Sequence, residues 1–308
     1  MLNRRGLAAC LAAALAFAVP ASAAFAQEKL PVVASFSILA DFVKQVGGER
    51  VGVTALVGPD GDAHVYSPTP ADAKAMAAAK LVFINGLHLE GWLPRLVKSS
   101  GTKAAVVTAT RGIEPIGEAR GGHGHGHSHG HDDPHAWQSI ANAKVYVANI
   151  RDALKAADPA GKAVYDANAT AYLARLDATE GEVKAAIARI PAERRKAITT
   201  HDAFGYFVKA YGIEFLAPQG VSTEAEASAR DVARIIRQIK AQKVPAVFLE
   251  NIANPRLIEQ IARESGARIG GELYSDALSD ASGPAGTYID MMKHNISEIE
   301  KALAAGPA

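Results

Sequence analysis

Residues 158–190 read DPAGKAVYDANATAYLARLDATEGEVKAAIARI. After Pro159 the stretch has no proline and is rich in Ala, Lys, Glu and Arg. Tyr165, Ala169, Tyr172, Leu176 and Val183 recur at roughly helical spacing. The pattern predicts one helix of about 30 residues, about 45 Å long at 1.5 Å per residue, with Gly181 as its weak point. Such a rod is too long for one small domain, so it predicts a rigid bridge between two.

Working outward, both flanks alternate strand and helix signals. On the N-terminal side, 30–36 (LPVVASF) reads as a buried strand, and 38–46 has helical spacing that stops at Gly47-Gly48. Residues 51–57, 80–84 and 104–107 read as further strands. Thr69-Pro70 opens a helix with a hydroxyl cap and a first-turn proline. On the C-terminal side, strands at 197–200, 214–217, 244–249 and 267–274 alternate with helices at 203–211, 225–242, 255–265 and 287–302. Strands separated by helices imply parallel sheets. The expected class is α/β, with two parallel-sheet lobes joined by one long rigid helix. The expected division is a signal peptide at 1–26, a first lobe at 27–157, a linker helix at 158–190 and a second lobe at 191–308.

The leader carries Arg4 and Arg5, an apolar run from Gly6 to about Val19, and small residues around Ala23 and Ala26 that suit cleavage. Leu7-Ala8-Ala9-Cys10 resembles a lipoprotein box, but its apolar lead-in is very short. The expectation is therefore a cleaved, unanchored periplasmic protein. Cys10 is the sole cysteine, so the mature chain has no disulfide and no thiolate ligand. Without residues 1–26, which hold two arginines and no acid, the 33 basic and 32 acidic residues leave a slightly negative balance. That gives no electrostatic case for binding nucleic acid.

Between the strands lies the chemistry. His123, His125, His127, His129 and His131 alternate with small residues in a loop at 121–133, followed by Asp133-Pro134-His135-Ala136-Trp137. Imidazole is the commonest ligand for zinc-like metals. A polar histidine tract beside a single histidine next to a proline and an aromatic residue therefore points to a transition metal. His64, His135, His201 and Asp276 each follow a strand or sit in a loop, two in each half, and ligands of open α/β sheets gather at the carboxyl ends of strands. Three imidazoles and a carboxylate satisfy a tetrahedral zinc ion and leave no open position for an activated water. Each residue also has a plainer reading. His64 could be a solvated loop residue, His135 could stack on Trp137, and His201 could cap a helix. Asp276 could belong to a turn, with Asp280 as competitor.

Taken together, Gly61-Asp62-Ala63-His64 with Ser67-Pro68-Thr69-Pro70, Asn85-Gly86-Leu87, Asp133-Pro134-His135-Ala136-Trp137 and Thr200-His201-Asp202-Ala203-Phe204 resemble one family. This is the zinc and manganese solute-binding proteins of bacterial ABC transporters (cluster A-I), most of all the zinc-binding, ZnuA/AztC-like members. The resemblance covers essentially the whole mature chain. It implies two (β/α)4-type lobes, metal held between them by His64, His135, His201 and Asp276, an inner-membrane ABC permease as partner, and no catalytic activity. Two departures stand out. Ala63 replaces a proline common in the first motif, which questions loop rigidity, and histidine at 201 replaces the glutamate of manganese-type relatives, which favours zinc.

The sequence thus predicts a monomeric protein that captures Zn2+ and delivers it to an importer. The histidine tract would serve as auxiliary weak sites, and a periplasmic metallochaperone is a conceivable donor. Metal affinity should fall as pH drops through about 6.5, and loop motion around His135 should open the site. The rivals are a metal buffer without a transporter and a zinc hydrolase using Glu90 or Glu224 as base.

Overall fold

The computed structural model describes residues 28–117 and 132–304. The leader, the histidine tract from His123 to His131 and the last four residues lie outside them. Strand β1 (Leu30–Phe36) is apolar on both faces, and its last five residues are buried, as a central parallel strand requires. It pairs in parallel with β2 (Val51–Val57) on one side and β3 (Leu81–Ile84) on the other, and β4 (Ala105–Thr108) extends the sheet in the order β2-β1-β3-β4. The second half repeats the plan with β5 (Lys196–Ile198), β6 (Glu214–Leu216), β7 (Ala246–Glu250) and β8 (Arg268–Leu273), in the order β6-β5-β7-β8. The two halves are thus topological copies, as the alternating pattern suggests.

Helices α1 (Ser37–Gly47), α2 (Pro70–Ala78), α3 (Leu93–Ser100) and α4 (Ile140–Ala157) belong to the first half. The Thr69 side chain accepts from Asp72 N–H while the Asp72 carboxylate accepts from Thr69 N–H, so α2 begins on a full capping box with Pro70 in its first turn. Helices α6 (Gly205–Tyr211), α7 (Ala229–Gln242), α8 (Arg256–Ser265) and α9 (Tyr288–Ala304) belong to the second.

The long helix is α5, Lys162–Ala188, 27 residues entered through a 3-10 turn at Pro159–Gly161. It starts where it does because Asp158 is held. Arg50 donates from Nε at 2.8 Å and from Nη2 at 3.0 Å, and Tyr165 donates from its hydroxyl at 2.6 Å. The Arg50 group fills the space over Gly161, whose added Cβ would lie 2.4 Å from Arg50 Nε. A Cβ added at Gly181 would meet nothing within 4 Å, so no packing requires the glycine and the helix runs through it at only the propensity cost of about 1 kcal/mol. Tyr165, Ala169, Tyr172, Leu176 and Val183 are all buried, against α1 and α4 on one side and α9 on the other.

One apolar core runs through both halves. Phe42 meets Tyr288 edge-on at 4.7 Å, and Phe36 meets Trp137 at 5.0 Å. The seam is also hydrogen-bonded. Trp137 Nε1 and Gln138 Nε2 both donate to the Ser275 carbonyl at 2.8 Å, and Tyr288 Oη donates to the Trp137 carbonyl at 2.6 Å. Leu278 N–H donates to Ser37 Oγ at 3.0 Å, and Tyr288 N–H to Asp41 at 2.9 Å. Two halves joined by a rod with one buried face, a shared core and paired polar groups resist wide hinge motion. Among the described residues no helix is long and apolar enough to cross a membrane.

Candidate metal centre

Four segments at the carboxyl ends of strands converge on the seam. The loop after β2 carries His64, the segment after β4 carries His135, the turn after β5 carries His201, and the turn after β8 carries Asp276. One ligand atom from each lies within 4.8 Å of the others, and all four residues are buried. His64 Nε2 is 3.2 Å from both His135 Nε2 and Asp276 Oδ2. His201 Nε2 is 3.1 Å from Asp276 Oδ2, and His135 Nε2 is 3.5 Å from Asp276 Oδ1. A tetrahedron with metal–ligand bonds of about 2.0–2.1 Å has edges of roughly 3.3–3.4 Å. The donor set and its spacing fit a four-coordinate divalent ion.

The local chain makes this geometry inexpensive. In both Asp-x-His loops the aspartate accepts the histidine's own N–H two residues on: His64 N–H to Asp62 Oδ1 at 2.8 Å and His135 N–H to Asp133 Oδ1 at 2.9 Å. The proline replaced by Ala63 is therefore not needed for rigidity. Ala63 is fully buried, and its carbonyl accepts from Trp92 Nε1 at 2.8 Å.

Behind the ligands stand groups not singled out in the sequence. Asp133 Oδ1 also lies 2.8 Å from His135 Nδ1. Glu250, buried at the end of β7, places Oε2 2.7 Å from His201 Nδ1 as an ion-pair contact, and its Oε1 accepts from the N–H groups of Thr200 and His201 at 2.5 and 3.0 Å. With a carboxylate at Nδ1, each ring turns Nε2 toward the other donors of the cluster. A charged residue closing the apolar run Val247-Phe248-Leu249 is the sequence signal that could have found Glu250. Asn85 joins the frame: its Nδ2 donates to the Pro134 carbonyl at 2.9 Å, and its carboxamide oxygen accepts from Tyr146 Oη.

The electrostatics follow from these contacts. Burial alone would lower the imidazole pKa values. The Asp276 and Asp133 carboxylates outweigh it and lift His135 to about 9, and Glu250 and Asp276 lift His201 well above its ordinary value. Burial would raise Asp276, but the two imidazoles hold it well below the usual carboxylate range. Without metal, His135 and His201 therefore favour the protonated form beside their carboxylates, and the pH window expected from an ordinary histidine, near 6.5, shifts upward at these two residues. The bases of the hydrolase alternative are otherwise engaged or exposed. Buried Glu90 accepts from Ser35 Oγ and Asn85 N–H at 2.6 Å and Gly86 N–H at 3.1 Å, and Glu224 is exposed. The plainer readings of His64, His135, His201 and Asp276 do not account for four donors brought to one point. His123, His125, His127, His129 and His131 lie outside the described residues.

The family model described as "Zinc-uptake complex component A periplasmic" (ZnuA) matches residues 32–302. The manganese-binding lipoprotein MntA of Halalkalibacterium halodurans is 36% identical over 278 residues, covering 90% of this chain and 89% of that protein. The manganese ABC transporter substrate-binding lipoprotein PsaA of Streptococcus pneumoniae is 31% identical, covering 90% of this chain and 89% of that protein. Among solved structures, the periplasmic zinc binding protein TroA from Treponema pallidum superposes with a TM-score of 0.84 at 33% identity, covering 90% of this chain and all of that one.

These relatives overturn one expectation. MntA and PsaA are named lipoproteins, and this chain carries the Leu7-Ala8-Ala9-Cys10 box. The reading that sets lipid attachment aside in favour of an unanchored periplasmic protein therefore does not stand. The relatives are substrate-binding components rather than enzymes, and such a component works with a membrane permease. The chain belongs to the ZnuA family, the metal-binding substrate-binding proteins of ABC importers.

Proposed function

We propose that this protein captures Zn2+ on His64, His135, His201 and Asp276 and delivers it to its permease. The observation that carries the reading is the convergence of three imidazole nitrogens and one carboxylate within 4.8 Å of one another, with four of their contacts at 3.1–3.5 Å. Those four contacts are close to the edge of a tetrahedral zinc site. Manganese prefers six oxygen-rich ligands, and zinc stands well above it in affinity for nitrogen donors. The names of these relatives support metal transport and divide between zinc for TroA and manganese for MntA and PsaA. The imidazole at position 201 favours zinc over manganese. Metal analysis of the purified protein, followed by competition between zinc and manganese, tests it. Zinc is expected to bind one tight site and to resist a large excess of manganese; displacement of zinc by manganese at comparable concentrations would reject the assignment.

The rest of the reading rests on the sequence. Residues 27–157 and 191–308 act as two lobes about the 158–190 helix, and the chain works as a monomer. The His123–His131 tract samples zinc weakly and raises its concentration near the cleft. A metallochaperone is a candidate zinc donor. Lipid on Cys10, as in the relatives named lipoproteins, holds the protein near its permease.

A further inference from the structure

The four donors are not equally enclosed. His135, His201 and Asp276 are fully buried, whereas His64 keeps 5% of its surface exposed. That edge opens on a cavity of about 460 Å³ lined by His64, His88, Pro134, Val221, Glu224 and their neighbours. A competing ligand or the importer meets His64 first. One wall of the cavity is the segment 217–228 between β6 and α7, which has no helix or strand of its own.

This segment is held differently at its base and at its tip. At the base, Gln219 N–H donates to the Thr200 carbonyl, and Asp202 N–H donates to the Gly220 carbonyl, both at 3.2 Å. These bonds tie the base to the backbone around His201. At the tip, Thr223 Oγ1 crosses the cleft and donates to Asp62 Oδ2 at 2.6 Å. Asp62 is the residue whose other oxygen, Oδ1, accepts the N–H of His64. One carboxylate therefore fastens the second half's loop and orders the most exposed ligand. His135, where sequence reasoning put the moving part, is pinned by Asp133 and by the bonds of Trp137 and Gln138 to Ser275.

We propose that Thr223 is a positioning residue for metal retention: by clasping Asp62 it closes the 217–228 loop over His64, and the cargo leaves when this clasp opens rather than when the halves separate. The inference rests on the assignment of His64 as a ligand. With the clasp broken, Asp62 loses one of its two partners, the loop tip is freed from the first half, and His64 becomes the first donor to detach. Capture is less affected, because an incoming ion meets the cavity in either state.

The test is zinc release from the zinc-loaded full chain into excess chromophoric chelator, followed by stopped flow. Kd comes from chelator competition and the on-rate from the ratio of koff to Kd. Loss of a hydrogen bond to a charged acceptor predicts a koff about 10-fold faster in Thr223→Val. The on-rate should change less than about twofold, and Thr223→Ser should restore wild-type release. Thr223→Ala serves as second variant if the valine chain melts early. A koff within twofold of wild type in the valine or alanine variant overturns the proposal, as does equal acceleration by Thr223→Ser, which would mark a packing effect. If His64→Ala binds zinc as tightly as wild type, the metal-site assignment fails instead, independently of the clasp.

Discussion

Replacing Glu250 by Gln changes the shape of the centre least and its chemistry most. Glu250 Oε1 is engaged by two backbone N–H groups, so a glutamine keeps its oxygen there and turns its NH2 toward His201 Nδ1, now 2.7 Å from Oε2. An amide donor at Nδ1 forces the ring proton onto Nε2, the nitrogen that faces Asp276. The imidazole then offers the metal a proton in place of a lone pair. Loss of a group that orients a metal-binding histidine costs roughly 10–100-fold in affinity, about 1.4–2.7 kcal/mol. A second effect opposes it. Glu250 is one of the two carboxylates that raise the His201 pKa, so the glutamine variant also faces less competition from protons. The deficit should therefore be larger near pH 9, where protons compete less, than at pH 7. Competition titrations with chelator-buffered zinc at both pH values measure it, with circular dichroism confirming the fold. A folded variant that binds zinc at wild-type affinity at pH 9 would refute the tautomer argument.

Other outcomes follow from the same geometry. His135→Ala removes a donor outright and should lose more than the roughly 100-fold that a supporting residue costs, read by the same titration; retention of wild-type affinity would dismiss the assignment. A raised imidazole pKa stabilises the folded metal-free chain fully below about 6.5 and loses that contribution as pH rises through about 9. The melting temperature of the metal-free protein should therefore fall between about pH 7 and 9. Zinc affinity should rise over the same interval by about tenfold per pH unit for each proton displaced, and an affinity flat above pH 7 would restore the ordinary-histidine window. Cys10→Ser should move the protein from the membrane fraction to the soluble fraction, with intact mass reporting the lipid; an unmodified mature chain starting near Gln27 would contradict anchoring.

Much of this was legible in the residues because apolar runs and their punctuation are local. The run at 30–36, the Gly47-Gly48 stop and the cap at Thr69 each declare themselves within a few positions, and the structure places β1, the end of α1 and the start of α2 there. The rod was legible for the same reason, although its first turn is 3-10 because Arg50 and Asp158 pin it from outside the helix. Helix α7 begins at Ala229, four residues later than helical spacing suggests. Ser228 caps it by accepting from Asp231 N–H, and the residues ahead reach across to Asp62. That reach is a long-range fact with no local signature. The four clustered residues were visible as three histidines and an aspartate after strands or in loops, whereas the role of Glu250 was not, because it acts on a residue 49 positions away. Asp62 and Asp133 could be seen in their motifs, but the role of Asp62 depends on where its second oxygen points, and that of Asp133 on the His135 ring meeting the same Oδ1 that accepts its N–H.

The central claim is that three imidazoles and one carboxylate, drawn from both halves, hold a single ion. A crystal structure of the zinc-loaded protein, with anomalous differences collected on both sides of the zinc edge, tests it most directly. One strong peak is expected within about 2.0–2.2 Å of Nε2 of His64, His135 and His201 and of an Asp276 carboxylate oxygen. A peak bonded to fewer than three of these residues, or a fully occupied zinc elsewhere on the described chain with this cluster empty, would contradict it.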